Sequence, residues 1–362
     1  MKILWIGHGT HRPSPEFPFS ISDDLYWHYL FSGKSSLYDF LLESGDNVIG
    51  ELHEFSLRDE LFYRGAPVDL QSVDLALFTW NCLGLNEGEI KQWLKIESYL
   101  KEKKPSIAVM NSIEEFPIIN FKSLFFDRLR DLGYSSYVPN YEEVNSVFSL
   151  LSTSLPYPLI VRSNLDTGGR NTYLCRNMLE SLVRFRFIKQ DLTAGRQNRL
   201  EDFRAPEIIK VRYYDNYYPD FNCHASFRII FINRRLAFIY PHISVSDWCI
   251  HTDMEDHSPA RESFLAACEF IYDFVRRKYD IFRDLVNSLN IHTLTIDFLV
   301  HDDKPIFLEV ELKYGCDINF VKGPLRLYDL DLSYFRAKNK EIEDVPVSFD
   351  SFFNRKEVRN GF

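Results

Sequence analysis

Apolar residues enter the chain in short, nearly unbroken runs. Lys2–Ile6, closed by Gly7, reads as a first parallel strand running into a loop; Asn47–Ile49, Val73–Trp80 and Ser106–Met110 repeat the pattern. Such runs belong to strands covered on both faces. Between them the period lengthens. Asp24–Leu42 reads as helical, and Glu87–Lys101 places Ile90, Trp93, Leu94, Ile96 and Leu100 along one side. Strand–helix alternation over about 110 residues predicts a doubly wound α/β lobe. Gly7-His8-Gly9 begins like a dinucleotide fingerprint, but the third glycine is missing and Pro13 and Pro15 break the helix that should follow. A strand-end turn is the simpler reading.

The middle of the chain has a different texture. Phe121–Leu132 is helical and stops at Gly133. Pro158–Arg162 is a short strand, Ser163–Thr172 is polar and contains glycines, and Tyr173–Cys175 is extended again. Met178–Phe187 is helical, while Ile208–Tyr214 and Ser226–Ile232 are strands. Asn233-Arg234-Arg235 turns the chain into Leu236–Tyr240, and Glu262–Tyr279 is a long amphipathic helix. Thr293–Val300 and Pro305–Leu312 form a hairpin-like pair around His301–Lys304. The chain shows no internal repeat and no low-complexity linker.

Composition narrows the class. With 362 residues, 45% hydrophobic and 26% charged, the chain can bury a real core, and 31 Phe and 20 Tyr argue against disorder. At roughly 100–200 residues per domain, two or three lobes are expected. The excess of 52 acidic over 42 basic side chains, a net −10, disfavours non-specific binding to nucleic acid or anionic lipid. The first residues lack the apolar core of a secretory signal, and no stretch reaches the ~18–20 apolar residues of a membrane span. Six cysteines without a CxxC pair suit reduced thiols better than disulfides or zinc. A cytoplasmic protein with no nucleic-acid or membrane partner is expected.

Three constellations carry chemistry. On the final hairpin Glu309 and Glu311 are two apart and so share a strand face, and Asp297 on the preceding strand can lie opposite them. Three carboxylates together repel unless a cation sits among them, and hard oxygen ligands suit Mg²⁺. An acidic face open to water, or paired with Arg and Lys, fits the same residues. The second constellation, residues 161–171, carries Arg162 and Arg170 around Gly168 and Gly169. Its backbone N–H groups can cradle phosphate, or the segment is an ordinary hairpin turn. In the third, Arg228 lies within the apolar strand 226–232, so it needs an anionic partner: a structural carboxylate or a bound phosphate.

In this order the pieces resemble the ATP-grasp superfamily, as an arrangement over most of the chain. AlaValMetAsnSerIleGluGluPhe (108–116), Lys122 and GlyTyrSerSerTyrValPro (133–139) look like the entry to that family's central lobe. ProLeuIleValArg (158–162) with the glycine loop is similar to its phosphate-clamping strand and flexible loop. GluIleIleLysVal (207–211), containing Lys210 and Val211, is placed like the hinge that holds adenine. SerPheArgIleIlePheIle (226–232) and Asp297 with PheLeuGluValGlu (307–311) resemble its arginine strand and metal-binding end.

The resemblance implies an α/β fold of ATP-grasp type: a doubly wound N-terminal lobe over 1–115, then α+β lobes over 116–205 and 206–337 clamping a nucleotide, with a charged tail over 338–362. It implies an ATP- and Mg²⁺-dependent carboxylate–amine ligase working through an acyl-phosphate on an amino acid, peptide or related metabolite, and a homodimer is common in this fold. Lys122 and Arg162 are then phosphate contacts, and Arg228 steadies the reacting group.

Two departures stand out. The family usually has Lys at the Arg162 position, and usually ends its metal motif Glu-x-Asn where this chain has Glu309-Val310-Glu311. Lys313 or a second Mg²⁺ could offset the extra charge. These departures motivate two alternatives: a nucleotide-binding regulatory or scaffold protein without ligation, or an ATP-dependent kinase. His8, Asp247, Trp248 and His251 are candidate substrate contacts. Arg184, Arg186 and Lys189 read as a solvated basic helix face, and Cys82 and Cys249 as buried structural thiols.

Overall fold

Ile3–His8 (β1) pairs in parallel with Val48–Glu51 (β2) on one side and with Leu75–Trp80 (β6) on the other, and Ala108–Met110 (β7) closes the row as β2-β1-β6-β7. Between β2 and β6 lies a small antiparallel sheet of Phe55–Leu57 (β3), Leu61–Tyr63 (β4) and Ala66–Pro67 (β5). Every residue of β6 is buried, as its unbroken apolar run requires. Helix α1 (Glu87–Lys103) lays Ile90, Trp93, Ile96 and Leu100 into the core. In this computed structural model the described residues are 2–8, 47–80, 87–165, 169–194, 205–232, 234–250, 260–289, 291–312 and 332–343. The expected helix over Asp24–Leu42 lies outside them.

The second sheet is antiparallel, in the order β10-β9-β11-β8: Tyr141–Glu143 (β8), Leu159–Ser163 (β9), Thr172–Cys175 (β10) and Ile208–Arg212 (β11). Because β11 pairs with both β8 and β9, this sheet extends to Arg212. Of the helices that follow α1, α2 (Phe116–Asn120) and α3 (Lys122–Asp131) pack on the last strand of the third sheet, while α4 (Val147–Leu151) packs on α5 (Met178–Ala194), which lies against β9 and β10. Gly133 ends α3 as expected. At φ +88° it donates to Arg130, and Tyr134 donates to Leu129, the paired bonds of a Schellman stop.

The third sheet holds the longest strands: Tyr217–Tyr218 (β12), Cys223–Ile232 (β13), Arg235–Ser244 (β14), Leu294–His301 (β15) and Lys304–Glu311 (β16). Asp302 and Asp303, both at positive φ, make the tight turn between β15 and β16, the hairpin the patterning predicts. Helix α6 (Arg261–Ser288) covers one face; its Phe282 meets Phe298 at 4.8 Å between ring centroids. Helix α7 (Leu332–Lys340) adds Phe335 against Phe238. Asn111, at φ +58°, stitches the first and third sheets. Its side chain donates to the Phe78 carbonyl and accepts from the His292 and Thr293 amides.

Candidate functional site

A row of charges crosses three neighbouring strands of the third sheet. Strand register sets Arg228 on β13 beside Asp297 on β15, and Asp297 beside Glu309 on β16. Alternation explains the two sides: Ile296 and Phe298, flanking Asp297, are fully buried apolar residues, while the charged positions turn the other way. Arg228 donates from Nε and Nη2 to the two Asp297 oxygens, each at 2.5 Å, and Nη2 lies 3.3 Å from Glu311 Oε2. This fork is the bidentate geometry that a guanidinium offers a carboxylate. Lys122, at the start of α3, closes the row with Nζ 3.0 Å from Glu309 Oε2. Oxygens of Asp297, Glu309 and Glu311 all lie within 4.8 Å of one another.

The electrostatics follow from crowding and burial. Burial pushes the Asp297 carboxyl up, and Glu309 and Glu311 add to this against the pull of Arg228. Burial also acts on Glu309, but the charges of Lys122 and Arg162 outweigh it and hold this carboxyl below the usual range. Burial lowers Lys122, with Glu309 opposing. For Arg228 burial is overcome by Asp297, which raises the guanidinium above its ordinary value. Three cations and three carboxylates therefore meet at one place.

Arg162, Arg228 and the three carboxylates border a cleft of about 190 Å³ between the second and third sheets. Arg162, Gly169 and Val211 line it from the second sheet; Arg228, Asp297, Glu309 and Glu311 line it from the third; Trp248 is at its margin. Asn164, which the sequence reading missed, organises the junction. Its Oδ1 accepts from the Ser123 amide at 2.9 Å, and its Nδ2 donates to Ser123 Oγ and the Pro206 carbonyl, both at 2.8 Å. It thereby ties the end of β9 to the first turn of α3, where Lys122 sits, and to the segment entering β11. His242, Asn216, Tyr213 and Cys249 also line the cleft without having been singled out for it. Burial pushes the Cys249 thiol up to about 11, which suits a neutral side chain and not a thiolate nucleophile.

Other expected residues stand apart from this cleft. The Lys210 side chain points to the opposite face of β11 from Val211; it pairs with Glu142 at 2.7 Å and donates to the Ser149 carbonyl. Arg170 is held outward by Asp191 at 2.9 Å. His8 lies at the end of β1, 3.6 Å from Glu89 and edge-on to Trp93. Asp247 is exposed, its amide donating to Ser244 Oγ. Gly168, His251 and Lys313 lie outside the described residues.

Among solved structures, the chain is similar to a RimK domain protein ATP-grasp from Sphaerobacter thermophilus, with 10% identity over 95% of this chain and 99% of that one and a TM-score of 0.47. It is also similar to the D-alanine–D-alanine ligase of Bacillus anthracis, with 12% identity over 94% and 97% of the two chains and a TM-score of 0.49. A third likeness is to the ATP-grasp ligase PsnB complexed with its minimal precursor, at 12% identity, 94% and 98% coverage and a TM-score of 0.45. No family model matches the chain. No curated protein matches it either. No helix among the described residues is long and apolar enough to cross a membrane.

Proposed function

We propose that the cleft binds ATP with Mg²⁺ and that the chain is an ATP-dependent carboxylate–amine ligase of ATP-grasp type. The observation that carries this reading is the cross-strand row Arg228–Asp297–Glu309, extended by Glu311 and Lys122 and faced by Arg162 across the cleft. The donor set fits a hard divalent ion, since three carboxylates converge within 4.8 Å. When bound there, Mg²⁺ would neutralise charge on the terminal phosphates.

The chain's own residues supply positioning and charge. In this reading Lys122 and Arg162 contact the phosphates, and Arg228 is locked in place by its two bonds to Asp297. A substrate carboxylate oxygen attacks the γ-phosphorus, ADP leaves, and the acyl-phosphate forms. The amine then attacks the acyl carbon, loses a proton and releases phosphate. Phosphoryl transfer of this kind needs alignment and charge compensation more than a protein nucleophile. Gly169 lines the cleft, where exclusion of water would protect the intermediate from hydrolysis.

A second reading has its own support. The cations and carboxylates of the row already neutralise one another, so the cleft is electrostatically stable without turnover, as a nucleotide-binding scaffold requires. ADP release measured with carboxylate and amine candidates, singly and together, separates the two. Ligation predicts release that requires both, and a scaffold predicts nucleotide binding alone. Glu309→Ala should weaken Mg·ATP binding by about tenfold or more in calorimetry; unchanged affinity and turnover would remove Glu309 from the metal site.

A further inference from the structure

Lys122 and Arg162 come from different elements, the first turn of α3 and the strand β9. Both act electrostatically on Glu309, and as like charges they oppose each other. Asn164 stands two residues beyond Arg162 and is 0% exposed. Its backbone carbonyl accepts from the Lys122 amide at 3.3 Å, and its side chain accepts from the Ser123 amide and donates to Ser123 Oγ. On the other side its backbone amide donates to the Glu207 carbonyl at 2.9 Å, and Nδ2 donates to the Pro206 carbonyl. The Glu207 carboxylate is in turn held to α5 by Lys189 at 2.7 Å. One buried residue therefore joins both cation-bearing elements to the segment entering β11. A side-chain amide suits the place, because it accepts one bond and donates two where a carboxylate only accepts.

We propose that Asn164 is a positioning residue for phosphate binding: it holds Lys122 and Arg162 at the spacing from which both reach the phosphates of one ATP. The inference rests on the nucleotide reading of the cleft, and it gives Asn164 itself no contact with the nucleotide. Two buried like charges drift apart unless the elements that carry them are tied, and the bonds of Asn164 to residues 122 and 123 are such a tie. Its effect is confined to the charged end of the ligand. AMP lacks the terminal phosphates and so makes no call on the spacing of the two cations. A residue that merely held the scaffold together would instead serve both nucleotides alike, since its bond to Pro206 also steadies the entry to β11.

Calorimetric titration of the full chain with ATP and with AMP, each in the presence of Mg²⁺, tests the assignment. Asn164→Ala should weaken ATP binding by about tenfold or more and AMP binding by less than about twofold. Ser123→Ala removes one bond of the tie and leaves the Ser123 amide paired, so it provides a folded variant whatever becomes of Asn164→Ala. It should weaken ATP severalfold and AMP hardly at all. In a Lys122→Gln background, where the ammonium is already gone, Ser123→Ala and Asn164→Ala should each cost far less ATP affinity than in wild type, because the residues act as one unit. ATP affinity unchanged in Ser123→Ala overturns the proposal and leaves the nucleotide reading standing. So do equal losses for ATP and AMP, or losses that add fully to that of Lys122→Gln. A wild-type chain that binds neither nucleotide overturns both.

Discussion

Two cross-strand charge arrangements among the described residues are built on the same rule and put to different ends. In the second sheet Lys210 on β11 faces Glu142 on β8, and the lysine also donates to the carbonyls of Ser149 and Leu150. Its ammonium is sealed, and nearly every donor it has is accounted for. In the third sheet Arg228, Asp297 and Glu309 stand in register across three strands, but Glu311 and Lys122 crowd the same face and the row opens onto a cleft. The first arrangement is complete without a ligand. The second concentrates like charges that only mutual compensation holds together, so adding a cation or an anion shifts its balance. Pairing alone does not distinguish a structural ion pair from a site; crowding beside an open face does.

The sharpest way to break the comparison is to remove one cation from each. Arg228→Met leaves Asp297 and Glu311 facing each other without compensation, and ligand-free urea unfolding should show a loss of about 3–5 kcal/mol. Added Mg²⁺ should recover part of it and should stabilise this variant more than wild type, because binding to the native state alone raises its stability. Lys210→Met should cost less, about 1–3 kcal/mol, since Glu142 is partly solvated and keeps its bonds to Ser154. Its stability should not respond to Mg²⁺. A Mg²⁺ response in Lys210→Met equal to that in Arg228→Met would erase the distinction.

The contrast also shows what could be read from the chain. The period of two put Glu309 and Glu311 on one face and Asp297 opposite, because a long apolar hairpin leaves one choice of register. That Arg228 finds a carboxylate was one of two readings left open for a guanidinium in an apolar strand. Lys122 against Glu309 was out of reach: it depends on how α3 packs on β16, and no local pattern records a contact between residues 122 and 309. Lys210 and Val211 were read together as a hinge, although alternation points their side chains to opposite faces. Glu142 sits on a three-residue strand, Tyr141–Glu143, too short and too polar to show a period. The small sheet of β3–β5 escaped for the same reason.

A third buried polar residue marks the other limit, a group that folds by staying neutral. His292 is 2% exposed at the junction of the first and third sheets; burial, with the charge of Arg234 second, pushes its imidazole down to about 3. The unfolded chain takes up the proton near pH 6.5, whereas the folded chain resists it. The sign follows from that difference. The unfolded state binds more protons at every pH between about 6.5 and about 3, so stability falls as pH falls through this window and is unaffected above it. Over the first pH unit below 6.5 the loss should be about 1 kcal/mol, the smallest of these effects. Glu142, whose carboxyl is held down to about 2 because Lys210 and Ser154 outweigh its burial, begins to lose its stabilising contribution only as pH falls below about 4.5. Chemical denaturation at pH 7.5, 6.5 and 5.5 isolates the histidine. His292→Phe should flatten the profile across that range, and a wild-type slope that survives the substitution would assign the acid sensitivity to the charged row.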